Sequence, residues 1–166
     1  VGLLYQPTDK LDIKLDYWKV DYTNLITVEN SQGKLAADIN GPDIVRSATG
    51  TLAGVYVDYF NSSSVDVEGI DLEVQYKMSD NLNLGVNVAH FLQYDITAPT
   101  GDVIEAAGYF NNNNFARSMP ETKANVVLAW SNGEQDASLN ISYISDYQHS
   151  QPVDPMGISS YTTADA

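Results

Sequence analysis

One pattern limits this chain more than any other, a two-residue alternation of polarity held over unusually long stretches. From Ile70 the even positions read Ile70, Leu72, Val74, Tyr76 and Met78, while the odd ones read Asp71, Glu73, Gln75 and Lys77. Successive side chains of a strand point to opposite faces, so this segment has one apolar and one polar face. After Ser79-Asp80-Asn81 the pattern resumes, with Leu82, Leu84, Val86 and Val88 set against Asn83, Gly85, Asn87 and Ala89. It returns in Ala124, Val126, Leu128 and Trp130, then in Ala137, Leu139, Ile141 and Tyr143 beyond Asn132-Gly133, a strong two-residue hairpin signal. Leu11, Ile13, Leu15 and Tyr17 repeat it near the start, between Asp12, Lys14 and Asp16. These are antiparallel hairpins.

Length separates the ways such hairpins can be used. Each arm keeps strand character for roughly 10–14 residues, against about 5–6 in ordinary globular sheets and about 9–11 for a tilted strand crossing a bilayer. The connections are one-sided. Short turns fall at 7–10, 79–81 and 132–134, and long polar stretches at about 24–63, 95–120 and 148–160. Short turns at one end and long loops at the other is the arrangement of outer-membrane barrels, with the short turns periplasmic. Tyr5, Tyr76 and Trp130 each sit two or three residues before a short turn, as an interfacial aromatic girdle requires. Tyr17, Trp18, Phe91, Tyr94, Tyr143 and Tyr147 are candidates for the opposite girdle. The reading is therefore all-β, a partial antiparallel up-and-down transmembrane barrel of about six or seven long strands, with residues 1–166 one segment of a single barrel domain. Asp71, Glu73, Gln75 and Lys77 then face the lumen. Around Trp18 the phase flips, since Trp18, Val20 and Tyr22 become the apolar set. A bulge explains that, or the point where the strand rises above the bilayer.

Composition narrows the partners. Eight basic against twenty-two acidic residues give a net charge of −14, which opposes nucleic-acid binding, because phosphates need a basic surface. Cysteine is absent, which removes disulfide frameworks and thiolate metal sites. No apolar run approaches the ~20 residues of a membrane helix. Within the long stretches, 25–39 has room for a short helix, and 45–47 with 51–59 reads as a small hairpin about Thr49-Gly50.

Certain residues carry a family resemblance. Gly2-Leu3-Leu4-Tyr5-Gln6-Pro7 followed by Leu15-Asp16-Tyr17-Trp18-Lys19-Val20-Asp21-Tyr22 resembles the mid-barrel region of TonB-dependent outer-membrane receptors. Val45-Arg46, the Gly54 to Asn61 stretch, and Val67-Glu68-Gly69-Ile70-Asp71-Leu72 resemble the region that follows. Arg117, Pro120, Asn125, Leu128-Ala129-Trp130 and Tyr143-Ile144-Ser145-Asp146-Tyr147 resemble later strands. The resemblance implies a plugged barrel of about 22 strands that imports an iron-siderophore complex, cobalamin or an oligosaccharide across the bacterial outer membrane, with energy relayed through TonB. This chain departs from that pattern in having no plug, no TonB-contacting segment and no aromatic terminal strand. It reads as a fragment, with Tyr161-Thr162-Thr163 a further strand, unable to transport by itself and reaching TonB only through the missing N-terminal region.

Enzyme chemistry is not written here. There is no phosphate loop, no His-Glu-x-x-His and no serine elbow, so no catalytic, metal or cofactor residue is assigned. His90 lies on the apolar parity and reads as an interfacial ring, and His149 lies in a loop. Asp66, Glu68, Asp71 and Glu73 offer oxygen ligands for a hard cation, but without a cation-loop spacing they read as a hydrated lumen wall. Substrate contacts fall to the loops: Tyr109, Asn112, Asn113 and Phe115 combine ring faces with amides, and Arg46 and Arg117 can meet an anion. Outer-membrane lipid and a small-molecule or oligosaccharide substrate are the expected partners. Two alternatives stay open, a soluble β-sandwich binding carbohydrate or protein, and a passive porin.

Overall fold

The computed structural model describes residues 1–29, 31–61, 64–97, 103–110, 119–149 and 157–166. Strands β1 (Gly2–Thr8) and β2 (Leu11–Thr23) form the first hairpin. The first long connection holds β3 (Ile26–Val28), helix α1 (Ser31–Ala37), β4 (Ile44–Arg46), β5 (Leu52–Val55) and β6 (Tyr59–Asn61). A second hairpin, β7 (Ser64–Lys77) and β8 (Leu82–Thr97), is followed by the short β9 (Val103–Glu105) and β10 (Tyr109–Phe110). The third hairpin is β11 (Thr122–Ser131) and β12 (Asp136–Ile144), and β13 (Gln148–His149) and β14 (Tyr161–Asp165) complete the described strands.

Seven of these strands lie side by side in the order β1-β2-β7-β8-β11-β12-β14, every pair antiparallel, with β9 continuing the β8 edge beyond the end of β11. The third turn falls where the sequence places it but spans four residues, 132–135, between the paired Ser131 and Asp136, rather than the two of an Asn-Gly turn. Gly133 takes φ 90°, and the Asn132 side-chain oxygen accepts from the Glu134 and Gln135 amides at 3.0 and 2.8 Å. In the first connection β4 and β5 pair about Gly50, whose φ is 82°. The predicted second arm stops early, because Tyr59 belongs to β6 and pairs with β3.

Register fixes which side chains share a face. Leu15, Leu72, Val88, Ala124 and Tyr143 form one row across five strands, and Asp16, Asp71, Ala89 and Lys123 form a row on the other side. None of Leu72, Val86, Leu128 and Ile141 is buried. Nothing described stacks a second sheet over them, because the remaining sheets are two-stranded pieces in the connections. A sandwich would bury this face. It is bare instead.

The rows also measure slope. Tyr5 is level with Val74 through Ile13, two residues short of Tyr76, and Tyr76 is level with Leu128 through Leu84, two residues short of Trp130. A line through the three rings therefore drops two residues for every two strands, or one per strand. With about 3.3 Å per residue and about 4.8 Å between strands, that line crosses the rows at about 35°, and barrel strands tilt by about that much, 35–45°.

Along β2 and β7 the two faces exchange character. On the Leu72 face Tyr17 and Ile70 are the last apolar pair; Lys19 and Glu68 follow, then Asp21 and Asp66. On the Asp71 face, Trp18 opposite Gly69, Val20 opposite Val67 and Tyr22 opposite Val65 replace the carboxylates. β2 contains no bulge at this point, and its pairing with β7 runs unbroken from Leu11 to Thr23. The extra residue sits two strands over. Gly69 pairs with Phe91 and Glu68 with Gln93, so Leu92 is looped out of β8 and the strand beyond keeps phase with β7. Trp18, Phe91 and Tyr94 thus lie on the Asp71 face rather than in an outer girdle with Tyr17 and Tyr143. Their rings pack together: Trp18 meets Phe91 edge-on at 5.8 Å, and Phe91 stacks on Tyr94 at 6.0 Å.

These rings cover the small core. Val65, Val67, Ile96 and Ala106 are buried, with Leu25 and Ile104 packed around them. Each large aliphatic chain so covered contributes about 1.5–3 kcal/mol. Gly69 is where a side chain cannot fit, since a Cβ there would stand 2.5 Å from Trp18 Cζ2 and 2.8 Å from Cε2. Gly69→Ala is expected to displace the indole and destabilise the sheet by about 1–3 kcal/mol. A lower urea midpoint with shifted tryptophan emission is the expected readout; an unchanged midpoint would mean Trp18 does not rest on Gly69.

Candidate functional site

Below the exchange level, the Asp71 face forms a recess of about 530 Å³ lined in part by Lys14, Asp16, Glu73, Asn87, Lys123 and Asn125. Alternation puts these side chains on one surface, and the hairpin turns set their order. Lys14 Nζ donates to Glu73 Oε2 at 3.0 Å. Asn125 Nδ2 donates to Asn140 Oδ1 at 2.6 Å and to Ser142 Oγ at 3.1 Å. Asp16 and Asp71 are direct cross-strand partners of like charge, an unfavourable pairing. Gln75 and Lys77 extend the same parity towards the turn, where Lys77 pairs with Asp80 at 3.0 Å.

The four carboxylates considered for a cation do not converge. Asp66 and Glu68 share the Leu72 face, and Asp71 and Glu73 the other. Glu68 accepts from Lys19 Nζ at 2.7 Å and from the Tyr17 hydroxyl at 3.1 Å. Among the described residues no group of three or more acidic or histidine side chains is placed to hold a metal ion. His90 sits at the exchange level, level with Ile70 and Thr122, and its Nδ1 lies 2.8 Å from Thr122 Oγ1.

The loop candidates separate. Asn112, Asn113, Phe115 and Arg117 lie outside the described residues. Tyr109 lines a recess of about 310 Å³ at the head of β8, together with Asp95, Glu105, Glu121 and Asp146. Burial first, and then the Glu105 carboxylate, raise its phenol above the usual value of 10.0. Arg46 is engaged in its own loop, donating from Nη1 to the Gly50 carbonyl at 3.0 Å and from Nη2 to the Ile39 carbonyl at 2.9 Å.

Lys34, on α1, was not singled out by sequence, and it ties the first connection together. Its Nζ pairs with Glu29, with Asp43 at 2.9 Å, and with the Tyr56 carbonyl at 3.2 Å. Glu29 Oε2 also accepts from the Asp58 amide at 2.9 Å, so one ammonium joins the helix to residues flanking the β3–β6 pair and the β4–β5 hairpin. The only sequence signal was the single lysine of the 24–63 stretch among several acids. Its hydrogen bond to Glu29, and then that to Asp43, raise the Lys34 ammonium from 10.5 to about 12. Lys34, followed by the Asp58 amide, lowers the Glu29 carboxyl.

The sign of each shift sets a pH window. The lysine contribution is complete below about 10.5 and lost as pH rises through about 12; the glutamate contribution is present above its ordinary 4.5 and lost as pH falls through its depressed value. Protection of the 44–55 amides, the exchange rate divided into its intrinsic value at each pH, should therefore be greatest between those limits, and Lys34→Met should lower it at neutral pH to the level found in acid. Equal exchange in both proteins would remove the clamp.

The family model described as "TonB dependent receptor-like, beta-barrel" matches residues 1–166. Among solved structures, the chain is similar to the ferric enterobactin receptor PfeA of Pseudomonas aeruginosa. A mutant in complex with enterobactin matches with TM-score 0.63 and 20% identity, over 98% of this chain and 22% of that one. The same receptor in complex with BCV-L6 gives TM-score 0.63 and 19% identity over the same shares. A further mutant gives 0.61 and 19%, over 98% and 21%. The chain thus spans about a fifth of the receptor chains it resembles. No curated protein sequence matches it.

Proposed function

The chain belongs to the TonB-dependent receptor β-barrel family, and from that membership we propose that it forms one sector of the wall of an outer-membrane receptor importing a scarce nutrient. The exchange of faces at the Tyr17–Ile70 level carries this reading. A wall with a bare apolar face below that level and carboxylates on the same face above it matches a body seated in lipid and rising into water. The slope gives independent support: a barrel whose strands tilt by about 35° would hold Tyr5, Tyr76 and Trp130 at one depth, as a girdle needs.

On this reading the Leu72 face meets acyl chains, and Asp71, Glu73, Gln75 and Lys77 meet the lumen. The stretches 24–63, 95–120 and 148–160 stand outside the cell. The sector's own role is passive and exact in geometry: it closes its share of the backbone ladder, excludes lipid from the lumen, and carries the Lys34-clamped loop over the entrance. Tyr109 and the 111–118 tract supply substrate contacts, while Arg46 holds its turn. Substrates of the class an iron-siderophore, cobalamin or oligosaccharide represents fit a receptor of this kind, and TonB is engaged by parts of the receptor outside this sector.

A lipid-soluble photoprobe tests the seating. In outer membranes it should label a cysteine at position 72 (Leu72→Cys) and spare one at 73 (Glu73→Cys), with the reverse for a water-soluble maleimide. Labelling of 73 by the lipid probe would reverse the faces. Import is tested by deleting the gene for the whole receptor and measuring growth on limiting iron or carbon sources; unchanged growth on every source would remove the transport reading.

A further inference from the structure

The turn between β11 and β12 holds a chemically labile pair in the open. Asparagine is among the thermolabile residues, and it is lost when the amide nitrogen of the next residue attacks its side-chain carbonyl carbon. Glycine in that next place leaves the attack unhindered. Asn132, Gly133, Glu134 and Gln135 are all exposed, and nothing outside its chain neighbours stands within 4 Å of the Cβ position of Gly133. By contrast Asn81, Asn83, Asn87, Asn125 and Asn140 are each followed by leucine, valine or isoleucine, whose side chains crowd that nitrogen.

The folded turn also stabilises the charge that the attack creates. The Asn132 side-chain oxygen accepts from the Glu134 and Gln135 amides at 3.0 and 2.8 Å. Negative charge gathers on that oxygen as the nitrogen adds, and donors already set at such distances lower the barrier. The Gly133 amide has one long bond, 3.4 Å to Ser131 Oγ, so hydroxide can take its proton. Asn40-Gly41 carries the same sequence signal without this geometry. The Gly41 amide donates to the Asp38 carbonyl at 3.1 Å, and Pro42, in the place that Glu134 fills, has no amide hydrogen to offer.

We propose that Asn132 is a self-modification site, which the folded turn converts to aspartate and isoaspartate. Hydroxide removes the Gly133 amide proton and the nitrogen bonds to Asn132 Cγ. Nδ2 then takes a proton from water and leaves as ammonia, and a succinimide remains. Water opens the ring at either carbonyl, and no oxidant or reductant is needed. Aspartate keeps an acceptor for the two amides. Isoaspartate lengthens the backbone by one carbon and disturbs the bond from the Asn132 amide to the Gln135 carbonyl, now 3.1 Å. Either product sets a new carboxylate beside Glu134 and Asp136. The inference stands apart from the import reading.

The whole receptor in outer-membrane vesicles, aged in heavy-oxygen water at mildly alkaline pH, provides the test. Peptide mass spectrometry compares it with the same preparation unfolded in guanidinium chloride. Oxygen from the labelled water separates conversion during ageing from conversion during digestion. Asn132 is expected to convert at least threefold faster in the folded receptor than in the unfolded one, and faster than Asn40. Gln135→Pro removes one donor and should bring the folded rate down to the unfolded one; heat-modifiable migration on gels certifies that the variant is folded. Equal or slower conversion in the folded receptor overturns the inference. So does a faster Asn40, or an undiminished rate in folded Gln135→Pro. If that variant does not fold, the comparison of folded with unfolded wild type decides alone.

Discussion

The backbone hydrogen bond between neighbouring long strands is what everything else here depends on. A strand in hydrocarbon has no water to satisfy its amides and carbonyls, so each must be met by the next strand. The continuous ladders from β2 to β7, β7 to β8 and β8 to β11 do this along nearly their whole length. Side-chain burial cannot be the source of order in this sheet. The buried apolar core among the described residues comprises Val65, Val67, Ile96 and Ala106 alone, and all lie at one end. Elsewhere no sheet among the described residues covers the apolar face, so its free energy is settled by the surrounding medium.

Given the ladders, the two-residue period does the rest. It assigns each side chain to a face with no further choice, and a slip of one residue would invert every assignment. The looped-out Leu92 shows how tightly this holds. β8 gains a residue, and the strand beyond returns at once to phase with β7, so that Tyr94 and Ile96 reach the core beside Val67 and Val65. Gly69 performs the complementary service by omitting a side chain where the Trp18 ring must lie. The glycine and the bulge face each other across one strand pair.

Strand positions, hairpins and the short turns were legible because each is a local pattern: alternation for the arms, Asn132-Gly133 for the third turn, a helix within 25–39 that settles at α1. The phase flip at Trp18 was legible too, but its cause was not. Sequence cannot tell a displaced residue from an exchange of environment until the partner strand is known, and β7 supplies that answer through Val65, Val67 and Gly69. The same gap placed Trp18, Phe91 and Tyr94 in an outer girdle: Trp18 and Phe91 already had the parity of the Asp71 face, and Tyr94 reaches it because the phase of β8 changes at Leu92. The Lys34 clamp was invisible for another reason: its partners Glu29, Asp43 and Tyr56 are brought together by loop geometry, which no periodicity encodes. The acidic run from Asp66 to Glu73 looked like one cluster because a sequence has no faces, and the strand divides it in two.

The height of the wall follows from where its faces trade places. Six residues of β2 lie beyond Tyr17, about 20 Å along the strand and about 16 Å along the membrane normal at a tilt near 35°. The polar layer beyond the hydrocarbon is only about 5–7 Å deep on each side. On the proposed seating, helix α1, the β3–β6 pair and the β4–β5 hairpin are lifted on a stalk, clear of the lipid headgroups, where they would meet arriving solutes before the membrane does.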